Sequence, residues 1–267
     1  MNQIYINEWL KRIDIDYFQK FMEAWIPFNA WYMKEYYDYD NNITSDRAIL
    51  HIIKTKDNPY KSRVLDLLKP NDALKDAVEF KRNIQKLHNL LEVYVIPNQA
   101  SRISFSNMQL EYNSNRQHIE SHYRKSYKFE FLHSQPRTSK RFRCDIMNSR
   151  SVSEEVIDLH GCSEAEIEQH AGYGNKSDKI KEIIKFGFNE INPNKPTSII
   201  SNNNSGIKIS DNLYFINNKD RVSQFIIEML YLLRCKIFHG EIEPTQKYLE
   251  IYECAYNMHK ALIKSLI

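Results

Sequence analysis

Arg234 and His239 stand five residues apart in Leu233-Arg234-Cys235-Lys236-Ile237-Phe238-His239-Gly240. On a helix rising about 1.5 Å per residue, their Cα atoms lie roughly 7–8 Å apart along the axis. Long side chains at that spacing can converge on one phosphate. An imidazole moves protons near neutral pH, and a guanidinium offers two parallel donors to phosphate oxygens. The pair is the minimum for metal-free RNA cleavage. His239 would deprotonate the ribose 2′-OH or protonate the leaving 5′ oxygen, and Arg234 would stabilise the charge building on phosphorus. The same residues have a structural reading. A basic residue in the last helical turn complements the macrodipole, and His-Gly is a common way to stop a helix. Spacing alone leaves both readings open.

A second candidate is a basic segment, Arg137, Lys140, Arg141 and Arg143, with Arg124, Lys125 and Lys128 upstream and Tyr123, Tyr127, Phe129 and Phe142 interleaved. Positive charge with aromatic platforms is what an RNA surface needs, although a solvated hairpin face has the same composition. His118 and His122 have a metal-compatible i, i+4 spacing if helical, but not the His-Glu-x-x-His order of zinc proteases. Cys144, His160, Cys162 and His170 fit no familiar zinc spacing. The reading therefore calls for no metal and no cofactor.

The elements that must position these residues are mostly amphipathic helices. Phe18, Phe21, Trp25, Phe28, Trp31 or Tyr32 and Tyr36 recur every three or four residues, predicting a helix over 15–36 with a kink or break at Pro27. Thr44-Ser45-Asp46 caps a short helix through Ile53, and Asn71 caps a longer one ending before Pro97. Val222 to Ile237 and Tyr248 to Leu266 carry apolar stripes, with Gly240 suited to the C′ position and Pro244 to the first turn of the last helix. Between them the texture changes. Ile103 to Tyr112 and Tyr127 to Phe131 alternate with period two, as strands do. Ser153-Glu154-Glu155 opens a helix through about His170, Asp178–Phe188 is amphipathic, and Asn189–Asn212 reads as a surface loop. The expectation is a mainly α chain: one domain, a helical bundle with its core from about 7–97 and 213–267, and a small β-containing insertion at 98–212.

The Arg234–His239 segment resembles the Arg-x4–6-His signature of HEPN domains, helical ribonucleases of bacterial toxin and anti-phage systems. It is most similar to members reading Arg-x-x-Leu-Phe-His-Gly, with Ile237 in place of the leucine. Trp25-Ile26-Pro27-Phe28-Asn29-Ala30-Trp31-Tyr32 resembles the Trp-x-x-Phe-Asn-Ala-Trp-Tyr first helix of the same group. The two patches cover about a tenth of the chain. Where HEPN motifs often have Asn, Asp or His after the arginine, this chain has Cys235, and Pro27 is unusual in the first helix. The resemblance implies a HEPN-like bundle and a metal-independent endoribonuclease, a toxin or abortive-infection effector, leaving a 2′,3′-cyclic phosphate. It implies Arg234 and His239 as catalytic residues, with Cys235, Lys236, Asn29 and Tyr32 beside them. It also implies a symmetric homodimer, RNA as substrate, and a neutralising antitoxin or a trigger protein as partner.

Composition bounds these readings. With 267 residues, 42% hydrophobic and 27% charged, the chain can bury a core, and its net charge of +3 confines any polyanion site to a local patch. Four scattered cysteines argue against a disulfide framework and for the cytoplasm, and no apolar run is long enough to span a membrane. Two rivals remain: a catalytically silent helical module that binds RNA or protein, and a zinc-stabilised nucleic-acid-binding protein.

Overall fold

A computed structural model of the chain describes residues 15–70, 74–98, 101–134, 139–202 and 205–266. Among the described residues four helices come first: α1 (Tyr17–Tyr36), α2 (Asp46–Thr55), α3 (Pro59–Leu68) and α4 (Lys75–Val93). The strands β1 (Pro97–Asn98), β2 (Ser101–Arg102), β3 (Gln117–His122), β4 (Lys125–Ser134), β5 (Ser139–Met147) and β6 (Ser153–Leu159) follow. Then come α5 (Glu164–Gln169), α6 (Ala171–Gly174) and α7 (Asp178–Ile191), the hairpin β7 (Ile207–Ser210) and β8 (Leu213–Phe215), and finally α8 (Lys219–Phe238) and α9 (Gln246–Ile263). The chain divides into two compact units. One gathers the described parts of Met1–Pro97, Arg102–Leu110 and Ser198–Ile267; the other gathers those of Asn98–Ser101 and Glu111–Thr197.

The first unit is built on α1, α4, α8 and α9. Asp16 caps α1 by accepting from the Phe18 and Gln19 amides at 3.0 and 3.1 Å. Phe21, Ala24, Trp25, Phe28 and Tyr32 then fall on one buried face, as the spacing predicted. That face packs on α9, where Phe21 meets Tyr252 and Trp25 stacks on His259 with ring centroids 4.6 Å apart. Full burial of one such side chain stabilises by about 1.5–3 kcal/mol. The helix continues through Pro27 without a break. The Tyr252 hydroxyl donates to the Leu233 carbonyl at 2.9 Å and fixes α9 against α8. Arg47 and Lys54 of α2 both pair with Glu228, a buried carboxylate of α8, and so hold α2 over the middle of that helix.

The second unit is a four-stranded antiparallel sheet, β3-β4-β5-β6, with α7 against one face. Tyr127, Phe129 and Phe131 of β4, Phe142, Cys144 and Ile146 of β5, and Ile157 and Leu159 of β6 supply the buried alternate positions. Ile184, Phe188 and Ile191 of α7 close the core. Gly187 permits the approach, since a Cβ there would sit 2.1 Å from the Phe129 ring.

The strand content corrects the expected fold class. Of the described residues about 52% are helical and 19% strand, in nine α-helices, a short 3-10 turn and three small sheets, so the fold is mixed α/β and not a mainly α bundle. The largest local error is at 153–159, expected to begin a helix. Ile157 and Leu159 alternate inward there, and pairing with β5 holds the segment extended. The segment 189–212 is not all loop: Ile199 is buried and 207–210 forms β7. Ile103, Phe105, Met108 and Leu110 are buried in mostly irregular chain of the helical unit. The described parts of 102–110 and 198–212 belong to that unit. Pro244 precedes α9, whose N-cap is Thr245. Asn71 lies outside the described residues.

Candidate active site

The last turn of α8 decides which side chains are free. The His239 amide donates to the Cys235 carbonyl, the Gly240 amide to Ile237 and the Glu241 amide to Lys236, each at 2.9 Å. Gly240 has φ +66°, the left-handed conformation that closes a Schellman motif. Lys236 and Glu241, the residues that usually make the accompanying apolar contact, form an ion pair, and Lys236 holds the Glu241 carboxyl below the usual carboxylate range. The backbone thus satisfies the helix end, and Lys236 is committed to it. The His239 imidazole is exposed, and its ring makes an edge contact with Phe238 but no hydrogen bond among the described residues.

Arg234 is positioned from another direction. Its guanidinium lies over the Phe238 ring at 4.5 Å and reaches Asp46, at the start of α2, at 3.6 Å. Asp46 also accepts a hydrogen bond from the Tyr32 hydroxyl at 2.9 Å, and the Asn29 amide donates to that hydroxyl at 2.7 Å. Burial, reinforced by the Asp46 carboxylate, pushes the Tyr32 phenol far above its ordinary value, so Tyr32 remains a donor. Asn29, Tyr32, Asp46 and Arg234 therefore form one polar chain across three helices. Arg234 and Asn29 border a shallow pocket of about 310 Å³ whose other walls are Met22, Trp25, Ile26 and Ala30 of α1. Cys235 is half-buried beside Tyr231, whose phenol is pushed up to about 12, first by burial and then by Cys235.

The structure thus brings Arg234, Asn29 and Tyr32 together and leaves His239 at the adjoining helix end, with the Phe238 ring touching both motif residues. Sequence reading missed Asp46. It read Thr44-Ser45-Asp46 as a capping signal, but Ser45 alone caps α2, through the Ala48 amide at 3.2 Å, and frees Asp46 for Arg234. No local spacing signals a partner 188 residues away.

The basic segment of the sheet unit is differently disposed. Arg141 pairs with Asp158 through two donors at 2.8 and 2.5 Å, and Arg143 with Asp145 at 2.8 and 2.7 Å. Upstream, Lys128 meets Glu130 at 2.8 Å and Lys125 meets Glu154 at 2.9 Å. Lys140 is exposed on the opposite strand parity to Arg141 and Arg143, and Arg137 lies outside the described residues. His118 and His122 sit on a strand, where four residues span about 13 Å, too far for one ion. Among the described residues no three His, Cys, Asp or Glu side chains gather as metal ligands, which leaves the four residues of the zinc reading apart. No described helix is long and apolar enough to cross a membrane.

No protein-family model, curated protein or solved structure matches the chain.

Proposed function

We propose that the protein is a metal-independent endoribonuclease whose reaction is carried by Arg234 and His239. One observation carries this reading: the backbone closes α8 without the His239 side chain, leaving an exposed imidazole beside an arginine that a carboxylate anchors. In the proposed reaction a neutral His239 takes the proton of a ribose 2′-OH. The 2′ oxygen attacks phosphorus, and the bond to the 5′ oxygen breaks as an imidazolium returns a proton to it. Arg234 stabilises the charge on the phosphoryl oxygens. Two imidazoles in opposite protonation states are supplied most simply by a symmetric homodimer, the assembly that the HEPN resemblance implies. The same resemblance places the enzyme among toxin or anti-phage effectors, restrained by an antitoxin or released by a trigger protein.

The test is cleavage of single-stranded or looped RNA in EDTA by purified protein, with product ends identified. A 2′,3′-cyclic phosphate supports the reading; activity that needs added divalent metal overturns the mechanism. One observation favours the rival, a silent binding module. Phe238 is 62% exposed and stacked on Arg234, an arrangement suited to holding a base and phosphate without cleaving. RNA that binds, loses affinity on Arg234→Ala and emerges intact would establish that reading.

A further inference from the structure

A second pocket in the helical unit, about 330 Å³, lies where the end of α3, the middle of α4, β7 and the start of α8 meet. Four lysines line it: Lys69, Lys81, Lys208 and Lys219. Among the described residues no aspartate or glutamate does. Two of the four are neutralised nearby, Lys69 by Asp66 at 2.6 Å and Lys208 by Asp211 at 2.8 Å. Asp220, in the first turn of α8, is taken by Lys61. Two charges are left over. Lys219 makes no ion pair among the described residues. Lys81 is only 9% exposed, and its ammonium donates to the Lys69 carbonyl at 2.9 Å with no carboxylate against it among the described residues.

A buried ammonium facing one neutral acceptor is costly unless an anion completes it. The pocket also borders the positive end of the 20-residue helix α8, with Asn217 and Lys219 on either side of its N-cap. Two uncompensated charges match a phosphate monoester, which carries about −1.5 to −2 near neutral pH. The remaining walls are apolar, chiefly Leu65, Leu68, Ile207 and Ile209. They suit an apolar or flat ring attached to the phosphate, and the volume is that of a small-ligand site, about 300 Å³ or more.

We infer that this pocket binds a phosphomonoester carried on a ring-bearing body, with Lys81 and Lys219 holding the phosphate and the Leu65–Ile209 walls holding the ring. The inference is independent of the ribonuclease reading, because none of the residues bordering Arg234 lines this pocket.

The experiment is a calorimetric titration of the full chain carrying Arg234→Ala, so that phosphate held at the candidate active site does not contribute. Adenosine 5′-monophosphate, adenosine, inorganic phosphate and a short 5′-phosphorylated oligoribonucleotide are compared at fixed ionic strength. The monophosphate should bind at least tenfold more tightly than adenosine or inorganic phosphate. A charge-assisted contact of the usual strength makes Lys81→Met or Lys219→Gln cost about tenfold or more of that affinity, leaving adenosine unaffected. Affinity should also fall between pH 7.5 and 5.5 as the phosphate gains its second proton near pH 6. Lys219→Gln is a surface change and keeps the test valid if Lys81→Met unfolds the chain. Equal binding of the oligonucleotide and the monophosphate would identify the source as an RNA 5′ end; preference for the monophosphate would identify a free metabolite. Adenosine binding as tightly as its monophosphate, or both lysine variants binding as the parent does, would overturn the site.

Discussion

Arg234 and Arg143 are the same residue type beside the same partner type, yet they are spent differently. On the sheet, Arg143 gives two parallel hydrogen bonds to Asp145, both near 2.8 Å, and Arg141 does the same with Asp158. At the end of α8, Arg234 stands 3.6 Å from a carboxylate that Tyr32 has already engaged, and borders an open pocket. A guanidinium has five donors. On the sheet two of them are already matched to a carboxylate that would have to be displaced before a phosphate could take its place; at Arg234 the fork remains available. Unspent hydrogen-bonding capacity, more than positive charge, separates the two regions.

The largest expected effect tests that contrast. Arg234→Ala should lower RNA cleavage by about 100- to 1,000-fold, the usual loss when one transition-state donor is removed. Arg143→Ala should leave the rate near wild type. A comparable loss from both variants, measured as kcat/KM on one RNA, would erase the distinction.

A second contrast is acid sensitivity. His259 is wholly buried between Trp25, Phe28 and Tyr60, and burial pulls its pKa down to about 3. The unfolded chain takes up that proton near pH 6.5, while the folded chain refuses it until about pH 3. The stabilising contribution is therefore complete above pH 6.5 and declines as pH falls, by about 1.4 kcal/mol per pH unit within that window. In the sheet unit His118, His122, His160 and His170 all keep contact with solvent. Hydrogen exchange at pH 5 should show amides of α1 and α9 losing protection before those of β4 and β5, and His259→Phe should remove most of the difference.

Gly187→Ala is a smaller effect in the opposite direction. The added methyl would collide with the Phe129 ring, and overpacking of this kind typically costs about 1–3 kcal/mol. Exchange should quicken in β4 and α7 while α8 and α9 remain protected. Uniform quickening in both units would show that they unfold together.

The helices were legible because their burial is local: the stripes of 15–36, 222–237 and 248–266 need only 3.6-residue periodicity, and Gly240 signals its own left-handed turn. The strand at 153–159 was not, because Ser153-Glu154-Glu155 resembles a helix start and only pairing with β5 decides otherwise. The candidate site divides the same way. Arg234 and His239 share a spacing, and Asn29 and Tyr32 share a helix face. Asp46, which joins them, comes from a separate helix. At the basic segment Arg141 meets Asp158 across the β5–β6 register, which composition does not reveal, whereas Arg143 meets Asp145 two residues along its own strand.

The most direct test is His239→Asn, read by RNA cleavage in EDTA and by thermal melting on the same preparation. Asparagine keeps polarity and tolerates the helix end but cannot exchange a proton. The backbone already closes α8, so the melting curve should stay near that of the parent while cleavage falls by about 100- to 10,000-fold, the range for a lost general acid or base. Wild-type cleavage by His239→Asn would contradict the account and leave Arg234 as part of a binding surface.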